Sequence, residues 1–481
     1  MRDPMPSVEH RALVALKWAS FAKLTGQVLS WASTLVVMRL LEPDAYGLMA
    51  LVSVVISVLG NIAELGIGAA VVQARHVSRD DLARISGLIV VVNGVLFVAL
   101  LLAAPLFALA DGEPSLTALV QVAAVQLPIT AIATIQQALA QRELDFKWLA
   151  WIELTTIVAT AATTLLLAWS GFGVWALVLG SVANALVRTA LVLRRGFVWP
   201  SFRLAGVGSY LRIGGGVTIG RILWQVIYQT DVLIGASRLG SGPIGVYSVS
   251  LQLATLPLQK IMMTLNQIAL PAVARLQDEP ERLKRRMIDA TRILTVLSVP
   301  ALWGLAAVAP ELVHVVLGPK WQGAILPIQF IALVAPLRMI SATFATASIG
   351  VGRVGLDIRN NVQTAIVLPI SFYIGTFWGV NGLAAAWLFA VPLLFALNVP
   401  VMARALAVGL GDIGRALARP VTAGLVMYLS VAAARLTLDV EPALRLVLLI
   451  GIGAAAYLGT LHCLQPAIWG ELRALVRAAK S

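Results

Sequence analysis

The sequence predicts an all-α polytopic membrane protein, with about fourteen transmembrane helices in two pseudo-symmetric bundles. Three observations carry that expectation: a composition rich in apolar and poor in charged residues, fourteen long apolar runs, and an internal repeat. Hydrophobic residues make up 59% of the chain and charged residues 12%, against roughly 45–50% and 25% in soluble domains. A water-soluble chain could not hide that much apolar surface, so the bilayer must be its solvent.

The runs, bounded by charge or Gly/Pro, are 18–40, 46–73, 83–110, 115–138, 149–169 and 173–194 in the first half. In the second half they are 208–236, 243–273, 285–317, 323–348, 357–378 and 381–403, followed by 416–436 and 443–463. Each approaches or exceeds the ~20 residues that cross the hydrocarbon core. The N-terminus, MRDPMPSVEHRALVALKW, lacks a signal-peptide pattern, so the first run is expected to insert as it stands.

The repeat is anchored on RLLEPDAYGLMALVSVVISVLGNIAELGIGAAVVQ (39–73) and RLGSGPIGVYSVSLQLATLPLQKIMMTLNQIALPAVARL (238–276). Both start with Arg-Leu, pass through a turn with Gly or Pro to a Tyr, and enter a long apolar run. Gln121, Ala124, Pro128 and Ile132 match Gln329, Ala332, Pro336 and Ile340, and Gly173-Val174 matches Gly379-Val380. The spacing is too long for a solenoid unit and suits a duplicated membrane lobe. The expected organisation is a six-helix lobe at 18–194, a cytoplasmic linker at 195–212, a second six-helix lobe at 213–403, and two further helices at 416–463.

Orientation follows from the basic residues. The ends and loops on the side of the N-terminus hold 27 of the 36 Lys and Arg residues, whereas the alternate loops hold Arg39, Arg238, Lys320, Arg435 and Arg445. The positive-inside rule then places both termini in the cytoplasm. The net charge of +13 is mostly this topology signal. The basic stretch 274–287 lacks interleaved aromatic residues, so no nucleic-acid partner is expected.

Several chemistries find no support. One cysteine, Cys463, cannot form an internal disulfide, and the four histidines are scattered, so neither metal nor cofactor is suggested. GGGVTIG (214–220) lacks the Lys-Ser/Thr of a phosphate loop and sits in an apolar run. The outer loops are short, and no enzyme is expected.

Four basic residues remain inside the runs: Arg188, Arg221, Lys260 and Arg338, with Lys23 about one turn inside the first. A charge at mid-membrane costs about 2.5–3.5 kcal/mol on insertion scales, so it should face a bundle interior or a wet cavity. Lys23, Arg221, Lys260 and Arg338 are therefore candidates for a cationic cavity that binds an anionic substrate. Separate structural pairs are the other reading, Lys23 with Glu64 and Arg221 with Asp231, although ~15 Å of helix separates the latter two. Arg188 is close enough to Arg194 and Arg195 to snorkel to the interface. Glu64 and Asp231 could equally couple an ion or serve as pair partners. Gln27, Gln225, Gln229 and Asn266 could contact sugars or act as polar glue between helices.

RLLEPDAYGLMAL, ELGIGAAVVQ, QRELDFKWLA and GFGVWALV in the first half, and TDVLIGASRLGSGPIGVYSVSLQLATLPLQ, PAVARLQDEPERLKRR and VLGPKWQGAILPIQFIALVAPLR in the second, resemble one known family. It is that of the Wzx-type oligosaccharide flippases of the multidrug/oligosaccharidyl-lipid/polysaccharide (MOP) exporter superfamily, especially the colanic-acid exporter-like branch. The resemblance covers roughly residues 18–360; Glu64 and Gln229 stand where the branch often has Asp and Asn. It implies a MATE-like fold and translocation of undecaprenyl-diphosphate-linked oligosaccharide repeat units across the bacterial inner membrane, for exopolysaccharide, capsule or lipopolysaccharide O-antigen. A polymerase and a chain-length regulator of the same pathway would be its partners. Alternatives on the same fold are a cation-coupled exporter of drugs or metabolites and a lipid II flippase.

Overall fold

The computed structural model describes residues 25–64, 77–143, 145–203, 208, 218, 220, 222, 224–256, 279–466 and 470. The described α-helices of ten residues or more are α1 (25–40), α2 (Pro43–Glu64), α3 (Arg79–Asp111), α4 (Ser115–Ala124), α5 (Gln126–Arg142), α6 (Phe146–Trp169), α7 (Val174–Leu193), α8 (Thr230–Leu239) and α9 (241–256). They continue with α10 (Pro280–Leu312), α11 (Ile325–Gly350), α12 (Val354–Gly375), α13 (Gly379–Ala405), α14 (Leu410–Thr437) and α15 (Pro442–Leu464). Each of the fourteen expected runs contains described helical residues, α4 and α5 together forming the fourth. Ten segments are long and apolar enough to span a membrane among the described residues, and one of these, Val354–Ala405, holds both α12 and α13. The protein is a multi-pass, all-α membrane protein.

Chain packing divides it into two compact units, Met1–Gly245 and Val246–Ser481. In the first, Leu48 and Val52 of α2, Leu100 and Ala104 of α3, Leu119 and Ala123 of α4 and Val178 of α7 form one buried cluster. In the second, Leu283 and Met287 of α10, Ile340 and Phe344 of α11, Val399 and Met402 of α13 and Ile413 of α14 form another. The opposite faces stay apolar and exposed, as at Leu102, Leu106, Leu109, Leu166 and Leu436. A continuous apolar exterior is stable only against lipid.

Local chemistry sets the helix ends. Ser78 caps α3 by accepting from the Asp81 N–H at 3.0 Å, while Asp81 accepts from the Ser78 N–H at 3.2 Å, a capping box. Asp145 caps α6 by accepting from the Trp148 N–H at 3.1 Å. Internal prolines do not end helices here: Pro300, Pro336, Pro369 and Pro392 lie within α10, α11, α12 and α13. Neighbouring helices can compensate the lost backbone bond in a membrane bundle.

The repeat survives in atomic detail. Gln121 of α4 donates its amide to the Leu101 carbonyl of α3 at 3.3 Å, and Gln329 of α11 donates to the Ala306 carbonyl of α10 at 3.1 Å. Gly173 precedes α7 at φ 56°, and Gly379 opens α13 at φ 67°. Both turns need the left-handed region that glycine enters without a Cβ penalty.

Two arginines counted with the alternate loops lie at helix ends inside the expected runs 416–436 and 443–463. Arg435 lies in the last turn of α14 and Arg445 in the first turns of α15. Glu311 of α10, an acidic residue inside a span that the sequence reading passed over, binds both. Arg435 donates through Nε at 2.7 Å and Nη2 at 2.9 Å to its carboxylate, and Arg445 Nε lies 3.7 Å away. Arg435 also donates to the Ala307 carbonyl and Arg445 to the Arg435 carbonyl. A carboxylate only 7% exposed thus ties α14 and α15 to α10. Arg188 is likewise paired, with Glu153 at 3.1 Å, rather than merely reaching for the interface.

Candidate functional site

Arg338 is the member of the expected cationic set that falls on described residues. It sits at the midpoint of α11, a helix of 26 residues, so about 20 Å of helix separates it from either end. Met339 and Ala335 pack into the buried cluster with Leu294 and Leu302 of α10. Arg338 instead is half-buried, with its guanidinium carbon 4.4 Å from the ring centroid of Trp387 on α13. No carboxylate pairs with it among the described residues, and its Nη1 is buried without a hydrogen-bond partner.

The ring beneath it is held from two sides. Trp387 donates its Nε1–H to the Tyr247 hydroxyl at 2.8 Å, and Phe372 of α12 meets it edge-on with centroids 5.0 Å apart. Tyr247 is fully buried and Trp387 nearly so. A buried tryptophan needs a partner for its N–H, and here that requirement fixes the plane on which the guanidinium rests. Attraction to the ring face offsets part of the cost of a membrane-embedded cation and consumes none of its hydrogen-bond donors. Sequence reasoning found Arg338 but not Trp387 or Tyr247; the only local signal was an indole inside a span rather than at its edge.

In the first unit the structure brings two of the expected sugar contacts together. Gln225 and Gln229 both donate to Ser57 Oγ of α2, at 3.2 and 3.0 Å. Ser57 in turn donates to the Val54 carbonyl at 2.9 Å, and Asn61 donates to the Ser57 carbonyl at 3.0 Å. Ser57 had no distinguishing pattern in the sequence, being one hydroxyl in an apolar run. Replacing Ser57 with alanine strands both amides, and interhelical bonds of this kind average about 0.6 kcal/mol each in membranes. The expected loss is about 1 kcal/mol of stability, read as a small fall in melting temperature of the purified protein.

The other candidates are dispersed. Gln27 is half-buried on α1, and Glu64 is exposed at the described end of α2. Asp231 is buried in the first turn of α8 and accepts from the Val232 N–H at 2.8 Å. Lys23, Arg221, Lys260 and Asn266, and most of the 214–220 glycine run, lie outside the described residues. Among the described residues no cluster of His, Cys, Asp or Glu could hold a metal ion.

A family model described as "Polysaccharide biosynthesis protein" matches residues 36–326. The chain belongs to the polysaccharide biosynthesis protein family. Its relatives include the lipopolysaccharide biosynthesis protein WzxC of Escherichia coli (strain K12), 26% identical over 387 residues and covering 79% of each chain. Teichuronic acid biosynthesis protein TuaB of Bacillus subtilis (strain 168) is 23% identical, over 80% of this chain and 84% of its own. Succinoglycan biosynthesis transport protein ExoT of Rhizobium meliloti (strain 1021) is 24% identical, over 70% and 68%. Among solved structures, the lipid II flippase MurJ in an inward closed conformation superposes with a TM-score of 0.75 at 12% identity, covering 94% of this chain and 99% of its own. An inward-facing MATE family transporter of the MOP superfamily gives 0.64 at 14% identity, over 79% and 94%. This polysaccharide biosynthesis family member therefore has the MOP-type fold expected from its sequence.

Proposed function

We propose that the chain is a flippase that moves undecaprenyl-diphosphate-linked oligosaccharide repeat units across the bacterial inner membrane, for exopolysaccharide, capsule or O-antigen synthesis. The observation that carries this reading is Arg338: a guanidinium at mid-span with an idle Nη1 and no carboxylate partner among the described residues, resting on an indole. A diphosphate head group is anionic and needs such donors to enter a low-dielectric interior. A cation-coupled exporter of cationic drugs needs the reverse, an acidic site. With Lys23, Arg221 and Lys260, Arg338 would shelter the diphosphate, while Gln27, Gln225, Gln229 and Asn266 meet the sugars and the lipid tail stays in the bilayer. Alternating access would come from two lobes, 18–194 and 213–403, joined by the 195–212 linker, with both termini cytoplasmic. Glu64 and Asp231 are the groups on which ion coupling would fall. Moving each uncompensated negative charge outward gains about 2.3 kcal/mol per 100 mV when the interior is negative.

The test is reconstitution in proteoliposomes with fluorescent undecaprenyl-diphosphate oligosaccharide, scored by enzymatic access to the sugar on each face. Protein-dependent translocation is expected. Translocation of lipid II alone, or of cationic dyes alone, would replace this reading with one of its competitors.

A further inference from the structure

Residues 195–203 of the expected inter-lobe linker form, with Arg194, a strap pinned across three helices. Ser201 donates its N–H to the Ala83 carbonyl of α3 at 2.8 Å, and Ser86 Oγ donates to the Val198 carbonyl at 3.4 Å. In its satisfied amide orientation, Gln136 of α5 accepts from the Val198 N–H at 2.8 Å. A Cβ at Gly87 would overlap the Ser201 carbonyl, so glycine permits the close crossing. Arg195 pairs with Asp145 and lies 4.2 Å over the Trp148 ring. Burial alone would raise the Asp145 pKa; its hydrogen bonds to Arg195 and the Trp148 N–H, with the charges of Arg195 and Lys147, hold it below the usual range instead.

What this rigid strap displays is specific. Phe197, Trp199 and Phe202 are 40%, 80% and 64% exposed, and the Phe197 and Trp199 rings form an edge-on pair at 5.0 Å. Arg194 and Arg203 flank them, both exposed and without an ion-pair partner among the described residues. The helix ends and strap here carry Arg79, Arg84, Arg142, Lys147, Arg194, Arg195 and Arg203 against Asp80, Asp81, Glu143 and Asp145, a net excess of basic charge. Two of those carboxylates are engaged, Asp81 by Ser78 and Asp145 by Arg195. α3 has 33 residues and so runs ~50 Å, longer than a ~30 Å hydrocarbon core. Its first turns, where the strap crosses, carry Arg79, Asp80, Asp81 and Arg84 and so belong in the headgroup layer.

We propose that this strap is a docking surface for anionic phospholipid headgroups of the cytoplasmic leaflet, with Arg194 and Arg203 on the phosphates and Trp199 and Phe202 in the interface. The inference goes beyond substrate transport and rests only on the orientation proposed above. Aromatic rings prefer this layer to water, and basic side chains beside an anionic surface each contribute about fivefold in affinity.

Full-length protein in nanodiscs of mixed phosphatidylcholine and phosphatidylglycerol, partly stripped with detergent, reads the claim by native mass spectrometry of retained lipid. Retained phosphatidylglycerol relative to phosphatidylcholine is expected to fall roughly 25-fold in the Arg194→Gln/Arg203→Gln double variant and to stay at the parent ratio in Arg415→Gln on α14. Trp199→Ala should lower retention of both lipids. An unchanged ratio in the double variant, an equal fall in Arg415→Gln, or retention of added undecaprenyl diphosphate with no phosphatidylglycerol preference would overturn it. Labelling Arg203→Cys from the periplasmic face, in a Cys463→Ser background, would overturn the orientation and this inference with it. Cytoplasmic labelling with an unchanged ratio would overturn the inference alone.

Discussion

Replacing Arg338 with alanine is expected to reduce polysaccharide export roughly ten- to hundredfold, the worth of one charged hydrogen-bonding contact, while leaving the protein as stable as its parent. The two halves of that expectation come from the same geometry. An arginine at the midpoint of a span costs about 2.5–3.5 kcal/mol on insertion scales, and a desolvated cation–π contact such as that with Trp387 returns about 2 kcal/mol. The residue is close to neutral for folding, and its removal strands no carboxylate among the described residues. Arg338→Lys should be intermediate: the charge remains, but a point ammonium neither stacks on the indole nor offers a planar fork to a diphosphate. Export measured at matched protein levels, with the melting temperature of the purified variants, checks both. Parent-like export from Arg338→Ala would remove this residue from the site, and a large fall in melting temperature would mark it as structural.

Glu311 is expected to behave in the opposite way. Its carboxylate, 7% exposed, holds Arg435 at 2.7 Å and lies 3.7 Å from Arg445. Glu311→Gln keeps the shape but leaves two guanidinium groups without compensation, and breaking a buried pair by removing one partner costs roughly 3–5 kcal/mol. For a unit of this size that is a fall in melting temperature of roughly 6 °C or more. Arg445→Ala should cost less than about 1 kcal/mol, because the tighter Arg435 pair survives it. Thermal unfolding of the three proteins in one detergent decides the matter. A Glu311→Gln melting temperature within about 2 °C of the parent would show that α14 and α15 are held to α10 by apolar packing alone.

Segments and their order were legible because hydropathy acts on each run separately. A stretch such as 416–436 meets the bilayer as a helix whatever its neighbours do, and α14 covers it. The repeat was legible for a related reason: Gln121 and Gln329, or Gly173 and Gly379, solve the same local problem in each half. Arg338 was legible as a charge in the wrong solvent. Its support was not, because nothing in the order of residues 238–403 says that the Trp387 ring faces α11 or that its N–H finds Tyr247. The pairing of Arg435 and Arg445 was not legible for the same reason, since their partner lies 124 residues before Arg435.

By itself, then, the chain's composition determined that it spans a membrane many times. The tertiary structure decided which charges are paid off by partners and which stay available, because an ion pair, a stacked ring or a pinned strap depends on the faces that packed helices turn toward one another. That is a matter of rotation about each helix axis, and a one-dimensional pattern leaves it open.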